Sequence, residues 1–289
     1  MNICFVGSGK VATSFGFYLK QKGYNIVGYY SKTTESAKKA ANITETTSYE
    51  NLQHIIGLSD IIFITTNDDA IESVVNNICD ENMLRKDQII VHMSGSLSSN
   101  VLKRAKDFGC FVYSMHPLQS FADIEGSINK LKSTVFTIEG CDEKIEVIES
   151  ILKNTGNKYF RIDSQLKSIY HAGACVVSNY LVTLMDFGLS FFEKSGINRE
   201  DAFEAVYPLI SGTLENIRNL GCEKGITGPI ARGDINTVKK HLTSIEENIP
   251  ERLDFYRIMA LRTVDISSRY ALKDSEKVQI LKNILKEEK

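Results

Sequence analysis

Through the first 160 or so residues, short β-branched and aromatic runs alternate with stretches whose apolar positions fall three and four apart. The runs are Asn2–Val6, Asn25–Tyr29, Asp60–Thr65, Gln88–Met93, Cys110–Ser114, Thr134–Ile138 and Asn157–Ile162, and each predicts a strand. Amphipathic stretches such as Val11–Lys22, Ala70–Ile78 and Ser98–Lys106 predict helices between the early ones. Strand–helix alternation implies βαβ units, and right-handed crossovers wind them into a doubly wound parallel sheet. The pattern changes near Asp163. Beyond it no run reads as a strand, and helices are expected at Gln165–Lys194, Arg199–Leu220, Asn236–Glu246 and Ile249–Tyr270, with a short one from Ser275. Gly196 is placed to close the first of these and Asn198 to cap the next. The expected fold class is therefore α/β: an N-terminal doubly wound parallel domain over 1–163, then an all-α C-terminal domain over 164–289. No internal repeat or low-complexity tract interrupts it.

The helix expected at Gln165–Lys194 is apolar nearly all round, with Leu166, Ile169, Ala172, Val176, Val177, Leu181, Leu184, Phe187 and Phe191 covering most directions. Its most apolar part, His171–Asp186, is shorter than the roughly 20 residues of a membrane span and contains Ser178, Asn179 and Thr183, so it reads as a buried helix of a water-soluble protein. Little chain remains to cover it, which raises homodimerisation as an expectation. Met1 leads directly into a strand-like run without a basic leader or cleavage site, and a cytoplasmic protein without a membrane partner is expected. A formal charge of −2 argues against nucleic acid as the main partner. The six cysteines are scattered without a C-x-x-C pair; reduced thiols are expected, and no metal site.

Candidate chemistry begins at Gly7-Ser8-Gly9-Lys10-Val11-Ala12, which fits G-x-G-x-x-A between a strand and a helix. Gly7 permits the tight turn, Gly9 lets the backbone approach a pyrophosphate, and Ala12 lets helix and strand pack closely, as in the Rossmann dinucleotide fold. An NAD site places an acid at the end of the second strand. Here the chain reads Tyr29-Tyr30-Ser31-Lys32-Thr33-Thr34, and Ser31, Lys32 and Thr33 suit the 2′-phosphate of NADP. Thr66 and Asn67, and Ser94 and Gly95, follow later strands and are candidates to line the cofactor. Asp68 and Asp69 read as acids at a helix start, and His92 as a structural histidine.

Substrate chemistry falls in three places. His116-Pro117 ends a strand, where the imidazole is a candidate donor to a carboxylate or carbonyl, or the pair simply fixes a turn. At about 100° per residue, Lys167, His171, Cys175, Ser178 and Asn179 share one sector of about 120° on a helix. Buried polar groups in such a stripe need partners, which gives Lys167, His171 and Asn179 as candidate catalytic residues. Arg232, in Thr227-Gly228-Pro229-Ile230-Ala231-Arg232-Gly233-Asp234, is a candidate carboxylate fork in a shaped loop.

Three of these segments together resemble one family: His116-Pro117-Leu118-Gln119-Ser120-Phe121; Tyr170-His171-Ala172-Gly173-Ala174 with Ser178-Asn179; and Thr227–Asp234 with His241. They are similar to Rossmann-like proteins carrying a DUF2520 domain, over nearly the whole chain. The wider superfamily includes pyrroline-5-carboxylate reductase, 6-phosphogluconate dehydrogenase and ketopantoate reductase, whose helical domains commonly dimerise and close the active site. Some members of the resembled family are alternate, PanG-type ketopantoate reductases. The resemblance implies an NADPH-dependent oxidoreductase that reduces 2-dehydropantoate to pantoate. Lys167 or His171 would then protonate the alkoxide, Asn179 would orient the substrate, and His116 or Arg232 would hold its carboxylate. Related dehydrogenases place a lysine and an asparagine four apart on this helix, whereas this chain has Lys167 and His171. The alternatives are an imine reductase of the pyrroline-5-carboxylate reductase type and a non-catalytic NADP-binding sensor.

Overall fold

The computed structural model describes residues 1–286. It divides into two compact units, residues 1–179 and the residues from Tyr180 on, one helix beyond the change of pattern at Asp163. The first unit holds one sheet of eight strands: β1 (Asn2–Val6), β2 (Asn25–Tyr30), β3 (Thr47–Tyr49), β4 (Ile61–Ile64), β5 (Ile89–His92), β6 (Phe111–Pro117), β7 (Phe136–Gly140) and β8 (Tyr159–Arg161). Their order is β3-β2-β1-β4-β5-β6-β7-β8. The helices α1 (Lys10–Gln21), α2 (Thr34–Thr44), α3 (Leu52–Gly57), α4 (Asp68–Asp80), α5 (Ile124–Leu131) and α6 (Ile145–Thr155) connect them. Where a helix is expected over Ser98–Lys106, the chain forms 3-10 turns over Ser99–Phe108 closed by Gly109.

Both faces of the sheet are covered. In β1, Ile3 and Phe5 enter one apolar core and Cys4 and Val6 the other. Strands buried on both faces need no polar alternation, which is why they read as continuous apolar runs. All neighbouring strands are parallel except β6 and β7. That pair is the antiparallel exception in an otherwise parallel sheet. The chain leaving β6 returns at the same end, with Pro117 opposite Phe136 and Leu118 donating to the Val135 carbonyl at 2.9 Å, so no crossover is required. The unanticipated β3 has three residues and no aliphatic side chain.

The second core changes character along β5 and β6. Ile90 and Val112 belong to it. Side chains repeat on a face every two residues, so His92, Ser114 and then His116 continue the same face toward the carboxyl ends. A polar floor thus replaces the apolar one where ligands bind in such sheets.

The run from Ser164 comprises a 3-10 turn, α7 (Lys167–Val177) and α8 (Asn179–Lys194), broken at Ser178. The expectation of a buried helix is corrected. Ile169 is 68% and Val177 72% exposed, although Phe187 is buried. Ser164–Lys194 is also long and apolar enough, by length and composition, to cross a membrane. Its first helical residue is nonetheless fixed to the sheet, since Lys167 donates to the Ser114 hydroxyl.

The second unit is helical: most of α8, then α9 (Arg199–Gly225), α10 (Pro229–Arg232), α11 (Ile235–Asn248), α12 (Leu253–Arg269) and α13 (Ser275–Lys286). Asn198 caps α9 by accepting from the Asp201 N–H. Gly221 breaks α9 with φ +77°, so its regular part ends at Leu220 as the pattern implies. A small core of Ile230, Val238, Ala260, Val264, Leu272, Leu281 and Leu285 joins the last four helices.

Candidate active site

The glycine turn is built as its sequence requires. Gly7 has φ +102°, and a Cβ there would stand 2.6 Å from the Thr65 carbonyl carbon. Both the backbone conformation and the close pass of β4 demand glycine. Gly9 begins α1, and a Cβ on it would meet nothing within 4 Å, so its backbone borders open space at a helix N-terminus. A cleft of about 600 Å³ opens there, lined by Gly7, Ser8, Gly9, Ser31, Lys32, Thr66 and Asn67 among others. The Ser8 and Thr66 hydroxyl oxygens are buried without a hydrogen-bond partner. Such orphans are rare in a finished interior and fit a polar ligand. No carboxylate lines the cleft among the described residues.

Three expected cofactor residues are placed otherwise. The Lys10 amine donates to the Ala122 carbonyl at 2.6 Å, Val11 packs on the apolar core, and the Thr33 hydroxyl donates to Ser36 at 2.7 Å. None of these lines the cleft. Ser94 and Gly95 also lie outside its lining and stand beside the histidines described next.

The first unit holds a second, smaller pocket of about 330 Å³, lined by His116, Gln119, Ser120, His171, Cys175, Ser178 and Asn179 with Leu118, Ala174 and Val177. His116, His171 and Asn179 are thus brought together. A Cβ on Gly95 would fall 2.5 Å from the His171 ring and 2.7 Å from Nε2 of His116, so the Gly95 backbone fills the gap between the two imidazoles. Gly95→Ala is accordingly expected to displace a ring and lower turnover more than tenfold while the glycine-turn cleft still binds its ligand; equal turnover by both proteins would refute this placement. His116 lies in β6, not in a turn. Its Nδ1 is 2.9 Å from the Tyr170 hydroxyl. Burial, together with the charges of Lys167 and His171, pushes its pKa down to about 3, so it is neutral at physiological pH.

Lys167 occupies a deeper position. It is 1% exposed and does not line the pocket. Four residues before His171, it lies one turn below it on the same helix face. Burial pushes its pKa down to about 8 against the opposing pull of Glu139 and Asp68. His92, fully buried, accepts from the Ser94 N–H at 3.2 Å, and burial and Lys167 lower its pKa to about 4. Asp68 is more than an acid at a helix start. Its Oδ2 accepts from the Ser94 hydroxyl at 2.7 Å and the Ser96 hydroxyl at 2.8 Å, tying α4 to the loop after β5.

Ser114, Glu139, Tyr170 and Ser96 were not singled out from the sequence. A signal existed for two of them: Ser114 and Glu139 are polar at strand positions whose alternation points into a buried face. Arg232 ends α10 in the second unit and is exposed. Its motif does local work there. Gly233 closes α10 at φ +67°, and Asp234 caps α11 through the Thr237 N–H and hydroxyl.

Comparison with known proteins agrees with this architecture. The model of a Rossmann-like domain matches residues 1–117, and that of DUF2520, a domain of unknown function, matches residues 134–263. No curated protein matches in sequence. Among solved structures, the chain is similar to BF3122 of Bacteroides fragilis, a candidate NADP oxidoreductase, at 23% identity and TM-score 0.71, covering 92% of this chain and 98% of that one. It is similar to TM1727 of Thermotoga maritima at 24% identity and TM-score 0.68, covering 98% of each chain. The pyrroline carboxylate reductase of Plasmodium falciparum, solved with NADP bound, is similar at 15% identity and TM-score 0.60, again covering 98% of each. The chain carries a Rossmann-like domain followed by a DUF2520 domain, as the three motifs led one to expect.

Proposed function

We propose that the chain is an NADPH-dependent reductase of a small 2-keto acid, with 2-dehydropantoate the first substrate to test. The observation that carries this reading is a single sheet edge bearing two sites. One is a glycine-turn cleft with orphaned hydroxyls, and the other is a pocket whose side chains can donate to a carbonyl. NADPH, when bound, supplies a hydride. Ser8, Thr66 and the Gly7–Gly9 backbone would hold its phosphates, and Ser31 and Lys32 the 2′-phosphate. The structural relative from Plasmodium falciparum has NADP bound, and a reductive aminase of Aspergillus terreus, similar at 15% identity, is in complex with NADPH. Lys32→Ala is expected to raise the KM for NADPH about 10–100-fold, the worth of a charge-assisted bond, and to leave that for NADH nearly unchanged. Equal effects on both would remove Lys32 from the 2′-phosphate site.

In the pocket, neutral His116 offers an N–H to the substrate oxygen, Asn179 orients the substrate, and His171 gives its proton to the developing alkoxide. Lys167 acts from below by its positive charge. A ketone needs a proton at oxygen as hydride arrives, whereas an iminium arrives already protonated. The proton donors therefore favour a keto acid over an imine. The test is NADPH oxidation by purified protein with 2-dehydropantoate. No turnover while NADPH binds would sink this substrate, and pyrroline-5-carboxylate in the same assay tests the imine reading. Rescue of a pantothenate auxotroph lacking ketopantoate reductase is the matching test in cells.

The exposed apolar side chains of α7 in the first unit, including Ile169 and Val177, and of α8 and α9 in the second, including Val182 and Leu209, support a homodimer, because large apolar side chains left open in each unit call for cover. A dimeric mass by light scattering at micromolar concentration is expected. A monomeric mass would count against it.

A further inference from the structure

Glu139 plays no part in the reading above, and its burial needs a reason. It is 4% exposed. Its Oε1 accepts from the Ser99 N–H at 2.6 Å and its Oε2 from the Ser99 hydroxyl at 2.8 Å. Both oxygens act as acceptors, as an ionised carboxylate requires. Two hydrogen bonds do not offset the burial of a full charge, which calls for a cation.

The sheet register places that cation. Ser114 pairs with Glu139 across β6 and β7, and with His92 across β5 and β6. The three residues form a row across three strands on one face, with directly opposite Cβ atoms about 5 Å apart. Lys167 donates to the hydroxyl of Ser114, the middle residue. Resting on the role assigned to Lys167 above, we propose that Glu139 is a positioning residue, whose carboxylate keeps the Lys167 amine protonated and seated on Ser114 while the substrate is reduced.

The electrostatics agree with the geometry. Burial drives the Lys167 pKa down, and Glu139 is the foremost group opposing it, followed by Asp68. The other titratable groups around Lys167 are His92 from β5, His116 from β6, and His171 one turn along α7. Burial keeps the first two neutral at physiological pH, so neither substitutes for a counter-charge. Without Glu139, desolvation would be opposed by Asp68 alone, which is exposed and bonded to two serines. The amine would then shed its proton within the working pH range and its field on the pocket would vanish.

The test is a direct titration of the full chain labelled with ε-13C-lysine, with the Lys167 resonance identified by its loss in Lys167→Met. Wild type is expected to titrate near the value of about 8 that burial imposes. Glu139→Gln keeps acceptor and donor atoms for Ser99 but removes the charge. It is expected to lower the proton affinity of Lys167 about tenfold or more, one pKa unit being a factor of ten. Glu139→Asp should recover most of the loss. A Gln midpoint equal to that of wild type, or an Asp midpoint as low as that of Gln, overturns the proposal. If the Gln variant does not fold, Ser99→Ala loosens the carboxylate without deleting it. It should then move the midpoint the same way by about two- to threefold in affinity, and no movement overturns the proposal equally. The titration needs no substrate. A lowered midpoint in a protein that turns over no keto acid would fail the reductase reading and leave the hold of Glu139 on Lys167 standing. An unmoved midpoint in a working reductase would fail this inference alone. In the working enzyme the alkaline limb of kcat should move down by the same factor, with the KM for NADPH unchanged.

Discussion

His171→Ala is expected to cut kcat for keto-acid reduction by about 10²–10⁴-fold, the usual worth of a positioned general acid, and to change the KM for NADPH little. The ring lines the pocket and stands across Gly95 from His116, so its proton can reach an oxygen held by both histidines. Lys167→Met should also lower kcat, by a different route. Lys167 does not line the pocket, and its loss removes a buried positive charge. The two variants are separated by their pH profiles. The alkaline limb governed by the Lys167 ammonium should persist in His171→Ala and go in Lys167→Met. If His171→Ala retained wild-type kcat, the proton would have to come from elsewhere, and the non-catalytic NADP-binding reading would gain if no keto acid turned over in any variant.

The glycine turn was legible because its constraints are local. Gly7 and Gly9 sit between a strand and a helix that the hydrophobic pattern itself marks. The histidine pocket was legible in parts: His116 ends a strand, and helical spacing puts His171 and Asn179 on one side of α7 and the start of α8. What the pattern did not disclose was depth. Lys167 reads as one member of a polar stripe, yet of the five it is the one that is buried, because its partner Ser114 lies 53 residues away across the sheet. Glu139 was hidden for the same reason. Its meaning depends on strand order, and its neighbour β6 is the one strand it meets antiparallel. The side chains of Lys10 and Thr33 were misplaced by treating a motif as a unit: backbone at a glycine turn faces the ligand, while a long side chain beside it is free to point elsewhere, as Lys10 does toward Ala122. The exposure of α7 reflects the opposite limit. Apolar periodicity reports that a face needs cover and says nothing about which molecule supplies it.

Acid is expected to destabilise the fold well before its carboxylates titrate, and the buried imidazoles set the window. His92 is held down to about 4 and His116 to about 3, against an ordinary value of 6.5. Between these values and 6.5 the unfolded chain binds protons that the native chain refuses. The native state therefore loses stability as pH falls below 6.5, by up to about 1.4 kcal/mol per pH unit for each imidazole. For fully buried His92 this amounts to about 2 kcal/mol by pH 5; half-buried His116 contributes less, since solvent screens it. Lys167 works in the same direction at the other end of the scale. Its native pKa of about 8 lies below its ordinary 10.5, so the native chain sheds this proton first and stability rises with pH between those values. Denaturant melts from pH 4.5 to 10 should show both slopes. His92→Gln should flatten the acid slope by about one proton and leave the alkaline one, while Lys167→Met should do the reverse. An acid slope unchanged in His92→Gln would mean that this imidazole is protonated in the native fold, which the close approach of its Nδ1 to the Ser94 N–H forbids without breaking the loop that carries Gly95.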